Sequence, residues 1–213
     1  MEVFFMYKQL KYYILVPALV LGCAFIYLFL TGESEASKVR EQVVRFHVVA
    51  DSNEEEAQTL KLKVRDGVFT LVEQLFAGCS SQGEALAVAK ENQEKLTAEA
   101  QRILLENGSD EAVTVEIGQR YFPTKTYGSL SFPAGRYQAV SIRIGEAKGE
   151  NFWCVLYPAL CLAPAVAEET SEQEMLAVVG EETTSFLKKS QTVPKIKFAL
   201  VEWFEQIKEK ICK

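Results

Sequence analysis

Two cysteines stand seven positions apart in NFWCVLYPALC, residues Asn151 to Cys161, among large apolar side chains and with Pro158 between them. Cys154 and Cys161 could be two buried thiols, half of a metal site or a disulfide. Structural zinc takes four Cys or His ligands. The pair has no matching second pair and the chain has one histidine, His47, so a metal centre is not expected. A disulfide persists in an oxidising compartment, where closing so short a loop would contribute about 2–3 kcal/mol. The choice therefore turns on which side of a membrane this segment occupies. Cys79 and Cys212 each fall in a helical pattern and read as buried or unreactive thiols.

Other chemistries find little support. The sharp G-x-S-x-G turn that displays a serine nucleophile is absent. His47 sits mid-strand beside Arg45, where a structural role outweighs a catalytic one, and no spacing brings Cys79 or Cys212 to it for nucleophilic catalysis. The 29 acidic residues leave a catalytic carboxylate pair formally open, but Glu54-Glu55-Glu56 reads as favourable charge at a helix N-terminus. Glycines in EAKGEN lack the Gly-Lys-Ser or Gly-Lys-Thr of a phosphate loop. No catalytic residue, metal, cofactor or small-molecule substrate is expected.

The N-terminus speaks to compartment. Tyr12 to Leu30 is a run of 19 residues without a charge, long enough for one helix to span a bilayer core. Lys8 and Lys11 precede it, and Glu33 and Glu35 follow, so the positive-inside rule exports everything after Leu30. The run exceeds the usual core of a signal peptide, which favours a retained anchor over a cleaved signal, although Ser34-Glu35-Ala36 offers small residues for cleavage. Val20-Leu21-Gly22-Cys23 faintly resembles a lipoprotein site, but further apolar residues follow Cys23. Residues after the first 32 hold 21 basic against 28 acidic side chains, a net charge of −7. That balance argues against nucleic acid and against a domain lying flat on anionic lipid; a protein partner remains compatible.

The elements that must position any site follow. Gly32 to Ser37 reads as a polar linker. Gln42 to Ala50 predicts a strand with Val44, Phe46 and Val48 on one face and Arg45, His47 and Val49 on the other. Ser52 and Glu55 match a capping box for a helix from Glu54 to Ala77 with a stripe at Leu60, Val64, Val68, Leu71 and Leu75. Lys61 and Arg65 on it read as a solvated face or a polar contact with the sheet edge. A second helix, capped by Ser81 and Glu84, carries Leu86, Ala89, Leu96, Ala100 and Ile103 and ends at Asn107-Gly108. Ala112 to Tyr121 and Arg136 to Ile144 alternate as strands. Between them FPTKTYGSLSFPAG reads as a loop whose Phe122, Lys125, Tyr127 and Phe132 either face a partner or fold back on the sheet edge. Thr170 to Lys189 predicts a helix, with Ser171 and Glu174 as its cap. Pro194 opens a last helix, whose apolar stripe and lysines suit docking on the domain, a membrane surface or a partner helix. The fold expected is α+β: an N-terminal transmembrane or signal helix, one domain with a small, mostly antiparallel sheet covered by two helices, then C-terminal helices. The divisions are residues 1–36, 37–165 and 166–213.

RFHVVADSNEEEAQTLKLKVRDGV (Arg45 to Val68) and YFPTKTYGSLSFPAGRYQAVSIRIGEAKGENFWCVLYPALC (Tyr121 to Cys161) together resemble the two motifs of the stage II sporulation protein R family, in order and spacing. The resemblance covers about Val43 to Leu162. It implies an exported intercellular signalling protein and not an enzyme. Such a protein is made in the forespore, crosses its membrane into the intermembrane space, and stays anchored there or is secreted. There it activates a membrane-embedded aspartic protease of the mother cell, which processes the pro-form of sigma E. The partner-facing residues expected are Phe122, Lys125, Tyr127 and Trp153, with Cys154 and Cys161 joined behind Trp153. Two other readings stand beside it: an exported hydrolase acting on the cell wall or another extracytoplasmic substrate, and a tethered scaffold.

Overall fold

The computed structural model describes residues 2–158 and 167–189. The strand β1, Val44–Val49, is an inner strand of a four-stranded sheet. It runs parallel to β5, Gly135–Ile144, and antiparallel to β6, Asn151–Tyr157; β5 pairs antiparallel with β2, Val113–Phe122. The order β2-β5-β1-β6 is mixed, with two of three pairings antiparallel, in an α+β fold. The parallel pair demands a long crossover, and three helices lie between β1 and β2.

Those helices are α2, Glu55–Phe76, α3, Gln82–Glu91, and α4, Gln93–Glu106. The second expected helix is thus two, broken at Asn92, whose side-chain amide donates to the Val88 carbonyl at 2.9 Å. The helices bury one face of the sheet: Val44, Phe46 and Val48 join Val64, Val68, Leu96, Ala100 and Leu104 in one core. The stripe of α2 is rotated from the expected one: Phe69, Val72 and Phe76 are buried, and Leu60, Leu71 and Leu75 only partly so. Gly67 lets α4 pack close to α2, since a Cβ there would lie 2.3 Å from Ile103 Cδ1. The capping box at Ser52 does not form; Glu54 is the N-cap and makes no side-chain cap bond. At α3, Ser81 Oγ accepts from the Glu84 amide at 3.3 Å, but the Glu84 carboxylate turns back to Ser80 instead of Ser81. Lys61 is buried, donates to the Glu150 carbonyl at 3.0 Å, and so makes the polar contact at the sheet edge.

The opposite sheet face is half covered. The expected loop contains a hairpin, β3, Lys125–Tyr127, and β4, Leu130–Phe132. Its two-residue turn begins with Gly128 at φ +53°, the positive φ that such turns require. Helix α5, Ala167–Lys189, starts upstream of its expected cap and is interrupted at Gly180. Its Met175, Val179 and Leu187 pack with Phe122, Leu130, Phe132, Tyr137 and Val155 in a second core.

Two compact units divide at Ser37/Lys38. Helix α1, Glu2–Gln42, continues through the expected linker, so residues 32–37 are helical. Among the described residues no helix is long and apolar enough to cross a membrane; the side chains of Tyr12, Ile14, Phe25 and residues 28–30 in the uncharged run lie outside them. Leu15, Leu19, Val20, Leu21 and Ile26 are more than half exposed. Cys161, Cys212 and the helix expected after Pro194 lie outside the described residues.

Candidate functional site

Alternation along β1 sends Arg45 and His47 to the face away from the three helices, and the two residues meet different halves of it. Arg45 is fully buried beneath the hairpin. Its guanidinium lies 4.6 Å from the Phe122 ring centroid, 5.2 Å from Phe132, 5.1 Å from Tyr137 and 5.7 Å from Tyr127. Nε donates to the Cys154 carbonyl and a terminal nitrogen donates to Tyr127 Oη, each at 3.0 Å. Tyr127 Oη in turn donates to the Trp153 carbonyl at 3.0 Å. Burying a cation costs several kcal/mol. Two charge-assisted hydrogen bonds at about 1.5–3 kcal/mol each and the desolvated ring faces offset that cost. Arg45 and Tyr127 thereby tie the hairpin to the edge strand β6.

His47 lies on the uncovered half. Its Nε2 is 2.7 Å from Asn151 Oδ1, and its ring stacks on Trp153 with centroids 4.0 Å apart. Burial lowers its pKa to about 4; the Asn151 bond opposes this, and Arg120 and Arg143 add to it. The imidazole is therefore neutral at pH 7. Beside it opens a cleft of about 370 Å³, lined by His47, Arg120, Arg143, Lys148, Gly149 and Asn151 among others. Arg120 pairs with Glu116, and Lys148 with Glu146.

Of the residues expected at a partner surface, Phe122 is a correction: it has no solvent exposure and belongs to the core. Its ring stands edge-on to Trp153 at 4.8 Å. Lys125, Tyr127 and Trp153 are half-buried, and Tyr127 and Trp153 are joined through the tyrosine hydroxyl. Cys154 is buried and is not among the free cysteines, which among the described residues are Cys23 and Cys79. Burial, and secondarily Glu84, pushes the Cys79 thiol up, so it is a poor nucleophile. Among the described residues no cluster of three or more His, Cys, Asp or Glu could hold a metal ion. Sequence reasoning missed the cleft. Arg120 and Arg143 lie on different strands, and only the β2–β5 register puts them on one face with His47.

This fold, with its caged arginine and its stacked histidine, belongs to the stage II sporulation protein R family, which matches residues 40–167. Among curated proteins the chain is similar to the stage II sporulation protein R of Bacillus subtilis (strain 168). The two are 28% identical over 218 residues, covering 88% of this chain and 97% of that protein. No solved structure matches.

Proposed function

We propose that this chain is an exported signalling protein of endospore formation that acts by binding. It crosses the forespore membrane and, from the intermembrane space, activates a membrane-embedded aspartic protease of the mother cell. That protease then processes the pro-form of sigma E. The observation that carries this reading is the family match across the folded domain. The uncharged run from Tyr12 to Leu30, with its described apolar side chains exposed, supports an N-terminal membrane anchor. Lys125, Tyr127 and Trp153 form the partner-facing rim, aromatic anchors being the usual source of interface energy. Cys154 and Cys161 form a disulfide that pins the segment behind Trp153. Activation follows from tighter binding to the active arrangement of the protease than to the inactive one.

The test is co-expression of this chain with the protease and pro-sigma E in a non-sporulating host, with and without residues 1–36. Processing that requires an exported chain supports signalling; no processing with both partners folded overturns it. Reduced and non-reduced samples of the same chain read the disulfide.

An exported hydrolase has one observation in its favour. Glu111 lies near Asp51, and its carboxyl is raised above the usual range by burial first and by the charge of Asp51 next. Yet Asp51 Oδ1 accepts from the Glu146 amide at 2.7 Å, so it holds the β5–β6 turn, and neither acid lines the cleft beside His47. His47 itself meets an amide where a general base would meet an acid. Release of soluble fragments from purified cell wall by the wild type, lost in a Glu111→Gln chain that still folds, would favour the hydrolase.

A further inference from the structure

We propose that the cleft beside His47 is a binding site for a carboxylate-rich peptide segment of the protein partner. The inference rests on the signalling reading and names the chemistry that this face recognises. Arg143, Arg120 and Lys148 converge on one cleft of about 370 Å³, within the range of about 300–1,000 Å³ for ligand pockets. They do so on a part of the chain with a net charge of −7. Arg120 and Lys148 already have acid partners, Glu116 and Glu146, whereas Arg143 is exposed and enters no ion pair among the described residues. A guanidinium presents a planar fork that matches a carboxylate by two parallel bonds.

The ground beneath the cations is built for a ligand. His47 is neutral and gives its Nε2–H to Asn151 Oδ1, so its buried, unpartnered Nδ1 is an acceptor that suits a backbone N–H of the peptide and not its carboxylates. Ser141, its cross-strand neighbour, has no solvent exposure and an Oγ likewise without a partner. Such buried atoms are ordinarily satisfied. Asn151 belongs to the edge strand β6, so an extended peptide reaches the cleft without displacing an element. The acidic balance of the chain disfavours a polyanion as long as a nucleic acid, while a short acidic segment meets only the local positive field.

The experiment has two arms on the full chain. In the first, a fluorescein-labelled hexaglutamate peptide is titrated against the chain in neutral detergent micelles and followed by anisotropy. Saturable binding is expected, weakened by salt, absent with a hexaglutamine peptide, and about tenfold looser in Arg143→Gln. Lys148→Gln, which removes another exposed cation lining the cleft, is expected to loosen the peptide too, at an unchanged thermal midpoint. No binding to the wild type, unchanged binding in both variants, or displacement by inorganic phosphate at the peptide's own concentration would overturn the proposal. So would binding of phosphatidylglycerol vesicles that depends on Arg143 while the peptide fails to bind. In the second arm the same variants enter the co-expression assay. Wild-type processing with unimpaired Arg143→Gln and Lys148→Gln variants overturns the cleft and leaves signalling standing. Absent wild-type processing overturns signalling, while the peptide arm still decides the site.

Discussion

The imidazole of His47 lies against the indole of Trp153, their planes 7° apart and their centroids separated by 4.0 Å. The stack joins a central strand to an edge strand, since the two residues are register partners across β1 and β6. It also makes His47 a poor base, because burial favours the neutral ring.

That stack has a pH signature. The folded pKa of about 4 lies below the unfolded value of 6.5. Stability from the neutral ring is thus fully present above pH 6.5, falls as pH drops from 6.5 towards 4, and is lost below. The difference of 2.5 between those values, at about 1.36 kcal/mol each, sets an upper limit of about 3 kcal/mol. Carboxylates titrate in the same window, so the measurement is the difference in unfolding free energy between wild type and His47→Phe at pH 7 and pH 4. Because His47 is the only histidine, its ring resonances give the midpoint directly. A midpoint near 6.5 would contradict the burial.

The caged arginine separates volume from charge. Arg45→Ala removes a fully buried side chain from among four rings and is expected to cost about 3–5 kcal/mol. Arg45→Met keeps most of the volume, gives up two hydrogen bonds, and relieves the burial of a charge; it is expected to cost less than about 2 kcal/mol. Urea unfolding measures both. Equal losses would mean that the guanidinium's bonds, and not its bulk, hold the hairpin on the sheet.

Gly149 tests the turn that shapes the cleft. A Cβ there would lie 2.2 Å from the Ser52 carbonyl oxygen and 2.7 Å from its carbon. Backbone cannot swing aside as a side-chain tip can, so Gly149→Ala is expected to cost about 1–3 kcal/mol. The Gly149 amide donates to the Ala50 carbonyl at 3.0 Å and the Lys148 amide to Asp51 at 2.9 Å, so the turn moves as a unit. A thermal midpoint unchanged by the substitution would show that it does not pack on the end of β1.

Much of this was legible in local pattern. Val44, Phe46 and Val48 alternate with Arg45, His47 and Val49, and the two sets do part to opposite faces. The hairpin was missed because its strands are three residues each, too short to show a period, and its prolines and glycines read as loop. The two-residue Gly128-Ser129 turn was the available signal. The parallel β1–β5 pairing and the Arg120–Arg143 cleft depend on contacts between residues tens of positions apart, which no local window carries.

The hairpin also decides how the proposed partner surface must be tested. Tyr127 stands in the relay from Arg45 to the Trp153 carbonyl, so Tyr127→Ala would unseat the hairpin and lower activation for structural reasons alone. Tyr127→Phe keeps the ring and leaves the Trp153 carbonyl without this donor; it is expected to cost about 1–2 kcal/mol of stability. Lys125 is half-buried at the start of β3, opposite Phe132. If the rim binds the protease, Lys125→Ala should reduce sigma-factor processing several-fold while the urea midpoint stays within about 0.5 kcal/mol of wild type. Tyr127→Phe should lower stability while processing by the folded fraction persists. Full processing by Lys125→Ala, in a chain as stable as wild type, would remove Lys125 from the rim. The caged hairpin would then be support for the sheet, and recognition would have to come from the cleft beside His47.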